Sequence, residues 1–127
     1  MGLDQYAYAT DHIPDSPVDF AEPEGAEKIA YWRKHPDLHG WMERLYWARG
    51  GEGSESFFGK VFFGPVALML SDLDALEADV LAGALPPTTG FFFGESVPED
   101  CEDDLRFVAT ARAAIAGGRC VYYSSSW

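Results

Sequence analysis

Two histidines one helical turn apart, a cysteine at a helix start and a dense group of carboxylates are the residues of this chain with chemistry to offer. His35 and His39 are spaced i, i+4 around Pro36, the arrangement that lets two imidazoles on one helix reach a common metal ion. The acid that would complete a zinc-protease motif is missing, and no third ligand stands out. The plainer assignment has His35 capping the helix and His39 pairing with Glu43 one turn on. No metal and no cofactor is therefore expected. Tyr31 and Trp32 lie just upstream, so Tyr31, Trp32, His35 and His39 form a candidate small-ligand site in which polar and aromatic groups exceed what a core needs.

Cys101 falls near a helix N-terminus, where the dipole could favour a thiolate. Glu99, Asp100, Glu102, Asp103 and Asp104 oppose that charge. On a helical wheel Cys101 shares a stripe with Leu105 and Val108, which predicts a small buried apolar residue. The glycines at 50–53 and 90–94 match no phosphate-binding loop, and no order of Ser, His and Asp suggests a nucleophilic centre. No catalytic residue is assigned.

The carboxylates are the stronger signal. Six lie between Glu95 and Asp104. Those in the first helical turn gain from the dipole. Asp100 with Asp104, and Glu99 with Asp103, stand one turn apart and repel unless a basic partner relieves them. Displayed together, Glu99, Asp100, Glu102, Asp103 and Asp104, extended by Glu22, Glu24 and Glu27, could imitate the charge density of a phosphate backbone and fill a basic groove.

These residues must be positioned by regular elements. Leu3 to Tyr8 alternates as a strand, with Leu3, Gln5 and Ala7 on one side and Asp4, Tyr6 and Tyr8 on the other. Residues 11–25 read as a loop, and Glu27 to Arg33 as a strand or the lead-in to a helix. A helix opens at Pro36 and puts Leu38, Trp41, Met42 and Leu45 on one face; His39, Glu43 and Trp47 point elsewhere. Phe57 to Phe63 reads as a strand. Ser71 and Asp74 suggest a capping box that opens a second helix, with Leu73, Leu76 and Val80 inward and Asp72, Asp74 and Asp79 off that face. Thr89 to Gly94 is expected as a buried strand, Pro98 to Ala116 as a third helix with Phe107 off its apolar stripe, and Arg119 to Ser125 as the last strand. Trp127 is expected to fold back onto the core. The order predicts one α+β domain over 1–127, a sheet of four or five strands packed with about three helices.

Composition bounds the function. The chain has 127 residues, enough for one core without staples, and 15 % of them are aromatic. The net charge is −12, distributed as −7 over residues 1–27, +2 over 28–60 and −7 over 61–127. Such a polyanion repels nucleic acid and anionic lipid and favours a basic protein partner. No apolar run is long enough to span a bilayer and the first residues do not read as a signal peptide, so a cytoplasmic location is expected. A helix between Cys101 and Cys120 would separate them by roughly 22 Å, which predicts two free thiols.

Four segments together resemble a known group: Gly2-Leu3-Asp4 with Tyr6 and Tyr8; Ala30 to His35 running into Leu38-His39-Gly40-Trp41-Met42; Leu85-Pro86 followed by Thr89 to Gly94; and Tyr122 to Trp127. They are similar to small proteins of unassigned function scattered through tailed-phage and prophage genomes. Some of these carry a phosphoglycerate-kinase label, which a chain this short without a nucleotide loop does not fit. The resemblance implies a phage setting and transfers no functional residues. With the acidic charge it leads to an expected host-takeover or counter-defence protein, an anti-CRISPR-like inhibitor that binds a basic, nucleic-acid-binding host protein. A ligand-binding protein or enzyme around Tyr31, Trp32, His35 and His39 is the alternative.

Overall fold

The computed structural model describes residues 3–55, 61–88 and 96–126. Alternation in the first segment does form a strand, β1 (Asp4–Thr10), whose buried residues include Gln5, Ala7 and Ala9 while Tyr6 and Tyr8 face the other way. The ambiguous segment is settled as a strand, β2 (Glu27–Arg33), because β1 offers it a full antiparallel edge with Tyr6 opposite Tyr31 and Gln5 opposite Trp32. Lys34 then takes φ +58°, turning the chain sharply out of the sheet and into α1 (Pro36–Ala48).

Beyond α1 come β3 (Ser54–Glu55), β4 (Val61–Phe62), β5 (Val66–Leu68), α2 (Leu70–Leu81), α3 (Asp100–Ala116) and β6 (Cys120–Ser126). The strands form a four-stranded antiparallel sheet in the order β2-β1-β6-β5, with β3 and β4 paired separately. The domain is α+β, as expected. No helix among the described residues is long and apolar enough to cross a membrane.

One face of the sheet carries the core. Ala7, Ala9, Trp32, Val66, Leu68, Val121 and Tyr123 meet Leu38, Met42 and Tyr46 of α1, Leu73, Leu76 and Val80 of α2, and Phe107, Val108 and Ala111 of α3. Each large side chain so buried contributes about 1.5–3 kcal/mol. The opposite face is a row of tyrosines: Tyr31, Tyr6, Tyr8 and Tyr122 follow one another with ring centroids 5.3, 6.1 and 5.2 Å apart. Phe20, from the loop between β1 and β2, stands edge-on to Tyr122.

Several expectations are corrected. In α1 the buried residues are Pro36, Leu38, His39, Gly40, Met42 and Tyr46, with Trp41 and Leu45 only partly covered; His39 reaches Tyr123 of the sheet and Tyr46 packs on Phe63. The second helix begins at Leu70, not at Ser71: Asp72 accepts the Met69 amide at 2.8 Å and is itself buried, held at 2.6 Å by Arg49. In α3 the inward stripe is Asp104, Phe107, Val108 and Ala111, so Phe107 is core and Cys101 is exposed. Both cysteines are free thiols. Of the strand expected over 57–63, residues 61–62 form β4 and residues 57–60 lie outside the described residues, while β5 lies in an apolar run that gave no alternation to read. The strand expected over 89–94 and the fold-back of Trp127 lie outside the described residues.

Candidate functional site

Gln5 is a polar residue in the inward phase of β1, completely buried. Its amide Nε2 donates to the His35 carbonyl at 3.0 Å and its Oε1 accepts the His35 amide at 2.9 Å. This two-way clamp fixes the backbone at which β2 ends and α1 begins. The His35 side chain, 2 % exposed, is thereby aimed between the starts of α1 and α3.

There its ring bridges two elements. Nε2 lies 2.8 Å from Asp104 Oδ2 and Nδ1 lies 2.7 Å from Ser96 Oγ. The Asp37 amide, in the first turn of α1, donates to Ser96 Oγ at 3.1 Å. With Asp104 a carboxylate, the network assigns the ring proton to Nε2 and leaves Nδ1 to accept the Ser96 hydroxyl. Asp100 Oδ2, 3.4 Å from Nδ1, also accepts the Val97 amide at 2.8 Å. Burial raises Asp104 above the usual carboxylate range, opposed by the hydrogen bond and charge of His35. Asp104 Oδ1 and Trp32 Nε1 are both buried without a hydrogen bond of good geometry among the described residues. A cavity of about 320 Å³ adjoins this line, with His35, Ser96, Asp100, Cys101 and Asp104 in its wall and Leu85 and Val97 among its apolar lining.

The four candidate ligand residues therefore do not share one site. Trp32 and His35 converge on Asp104, Trp32 from the core, where its ring meets Phe107 edge-on at 5.1 Å. Tyr31, 48 % exposed, stands on the opposite face of the sheet and donates its hydroxyl to Asp4 at 2.7 Å. His39 is buried against Phe63 at 4.7 Å and its Nδ1 lies 2.8 Å from the Tyr123 hydroxyl. The expected His39–Glu43 pair is absent, for Glu43 instead accepts the Trp47 indole N–H at 3.3 Å. Burial pushes the His39 pKa down to about 3. His35 occupies the cap position without capping through its side chain; Ser96 supplies that oxygen from across the fold. The rings of His35 and His39 face different partners, and no group of three metal-ligating side chains occurs among the described residues.

The expected acidic surface is also divided. Asp104 is 0 % exposed and belongs to the core side of α3. Asp100 is half-buried, engaged with Val97 and beside His35. Glu99, Glu102 and Asp103 are exposed, and Asp103 pairs with Arg106 at 3.1 Å. Glu27 pairs at 2.8 Å with Arg119, just past the far end of α3, so the length of that helix, about 25 Å, separates it from Asp100. Glu22 and Glu24 are exposed in the loop before β2, with Glu22 near the phenols of Tyr8 and Tyr122. The eight carboxylates do not make one patch.

A larger apolar groove of about 920 Å³ lies beside β5, where Ile13, Met69 and Leu70 are exposed. Its cationic groups, Arg49 and Arg119, are already paired with Asp72 and with Glu27 and Asp11. Volume alone would favour it; the side chains with chemistry to offer line the smaller cavity.

Ser96 escaped the sequence reading, as did the hold of Gln5 on His35 and the burial of Asp104. Gln5 had a signal, a polar side chain in phase with Leu3 and Ala7. Asp104 had one too, since with Phe107, Val108 and Ala111 it follows the i, i+3, i+4, i+7 spacing of a buried stripe. Ser96 had none. No protein-family model, curated protein or solved structure matches the chain.

Proposed function

We propose that the protein binds a small ligand in the cavity between the starts of α1 and α3. The observation that supports this is the hydrogen-bonded line Ser96–His35–Asp104 in the wall of a cavity of about 320 Å³, near the lower end of the volumes that hold small ligands. The His35–Asp104 pair and the cap that Ser96 gives α1 tie the elements together, and the hydroxyl that meets the second ring nitrogen also borders an open space. With Asp37, Asp100 and Asp104 around it, the cavity favours an uncharged or cationic ligand over an anionic one. Fragment screening by amide NMR tests this reading. Shifts at Ser96, Val97 and Cys101 that saturate with small neutral esters or amides, and vanish in Ser96→Trp, are expected; a panel that moves none of these amides refutes it.

A second reading rests on the charge. At −12, with Glu99, Glu102, Asp103, Glu22 and Glu24 exposed, the chain retains an acidic exterior suited to a host protein with a basic surface. In a phage setting that partner would be a nucleic-acid-binding defence component, and the protein a counter-defence inhibitor. Because Asp104 is internal and Asp100 engaged, the contact would reduce to Glu99, Glu102 and Asp103. Reversing those three charges should abolish partner capture from the bacterial host; capture at wild-type yield excludes this surface.

A further inference from the structure

Resting on the cavity reading above, we infer that Ser96 is a nucleophile for acyl transfer from small uncharged or cationic esters, with His35 its base and Asp104 the group that orients His35. Nucleophile, base and orienting carboxylate follow one another at 2.7 and 2.8 Å, within the hydrogen-bond reach that such chemistry requires. The ring nitrogens are interchanged relative to the serine-protease arrangement: serine meets Nδ1 and the carboxylate meets Nε2. The roles depend on geometry and not on which nitrogen serves which partner.

The step balances without any group beyond water. Ser96 Oγ attacks the ester carbonyl carbon while its proton passes to Nδ1 of His35. The carbon–oxygen bond to the alcohol breaks, and the departing alkoxide takes that proton. Water then repeats the sequence on the acyl-serine, releasing the acid and restoring Ser96. While His35 carries both protons it lies between Asp104 at 2.8 Å and Asp100 at 3.4 Å, two carboxylates that stabilise the imidazolium. The Asp37 amide donates to Ser96 Oγ at 3.1 Å and holds that hydroxyl at the N-terminus of the 13-residue α1. The same carboxylates disfavour an anionic acyl group, which sets the substrate class.

A fluorophosphonate probe and p-nitrophenyl acetate test the assignment on the intact protein. Intact mass should show one equivalent of probe, located on Ser96 by peptide mapping. Ser96→Ala should lose labelling and the acetate burst by about 100-fold or more. Ser71→Ala, at an exposed position on α2, should leave both unchanged. His35→Gln and Asp104→Asn should slow labelling, and Ser96→Cys should restore a burst whatever the stability of those two variants. p-Nitrophenyl hydrogen succinate should react at least ten-fold more slowly than the acetate. A folded wild type that takes no probe, or labelling that survives Ser96→Ala, overturns the nucleophile. If fragments shift the Ser96 amide while no label forms, the ligand site stands and the nucleophile alone falls; if neither occurs, both fall.

Discussion

His35 Nε2 and Asp104 Oδ2 lie 2.8 Å apart, both side chains almost wholly removed from solvent, and this contact joins the start of α1 to the first turns of α3. Gln5 holds the His35 backbone from β1, so three elements distant in sequence meet at one imidazole. Removing one partner leaves the other buried with an unmet polar group, which is costlier than losing the attraction itself.

Asp104→Ala should therefore destabilise the fold by about 3 kcal/mol or more in urea denaturation. The double variant His35→Ala/Asp104→Ala should cost less than the sum of the two single changes, giving a coupling of about 1 kcal/mol or more. Strict additivity would contradict the contact.

His39 sets an acid limit. Its pKa in the fold is about 3, against an ordinary 6.5, so below pH 6.5 the unfolded chain takes up a proton that the folded one refuses. The stability this neutral histidine contributes is complete above pH 6.5 and is lost as pH falls toward 3, by up to about 1.4 kcal/mol per unit. Asp104, raised by burial, acts in the opposite sense: its contribution is complete below the ordinary carboxylate pKa and is lost as pH rises through its folded value. Urea midpoints measured from pH 7 to pH 4 should fall less steeply for His39→Gln than for the wild type. Parallel slopes would contradict the burial of a neutral imidazole.

Why some of this was legible and some was not follows from the residues. The period-two pattern of β1 and the Pro36 start of α1 are local signals, and both elements formed where read. The segment over 27–33 had no decisive period, and only pairing with β1 decided it. Helical spacing puts Asp72 off the face of Leu73, Leu76 and Val80, and composition puts Asp104 in the acidic group, yet Arg49 and His35 compensate the burial of both. Once Asp104 is placed inward the phase of α3 rotates, which buries Phe107 and exposes Cys101. Ser96 meets His35 across 61 positions of sequence, and nothing local announces it.

Gly40 is needed for contact. A Cβ there would clash with the Thr88 side chain, whose residue is tied to the start of α1 by its amide donating to Asp37 Oδ1 at 3.0 Å. Gly40→Ala should cost about 1–3 kcal/mol through overpacking, despite the better helix propensity of alanine. Thermal denaturation checks it, and a stabilised Gly40→Ala would show that Thr88 does not pack there.

The exposed and buried acids of α3 should separate cleanly. Glu99→Lys and Glu102→Lys should each change stability by no more than about 0.5 kcal/mol. Asp104→Lys should prevent folding, since it places an ammonium against His35 in the core. Circular dichroism during urea titration distinguishes them, and equal tolerance at all three positions would contradict the orientation of the helix.

The most direct test is long-range 1H–15N NMR of the His35 imidazole. The account predicts a proton held on Nε2, an Nδ1 resonance that shifts on Ser96→Ala, and an Nε2 resonance that shifts on Asp104→Asn. An imidazole whose two nitrogens respond to neither substitution would contradict it.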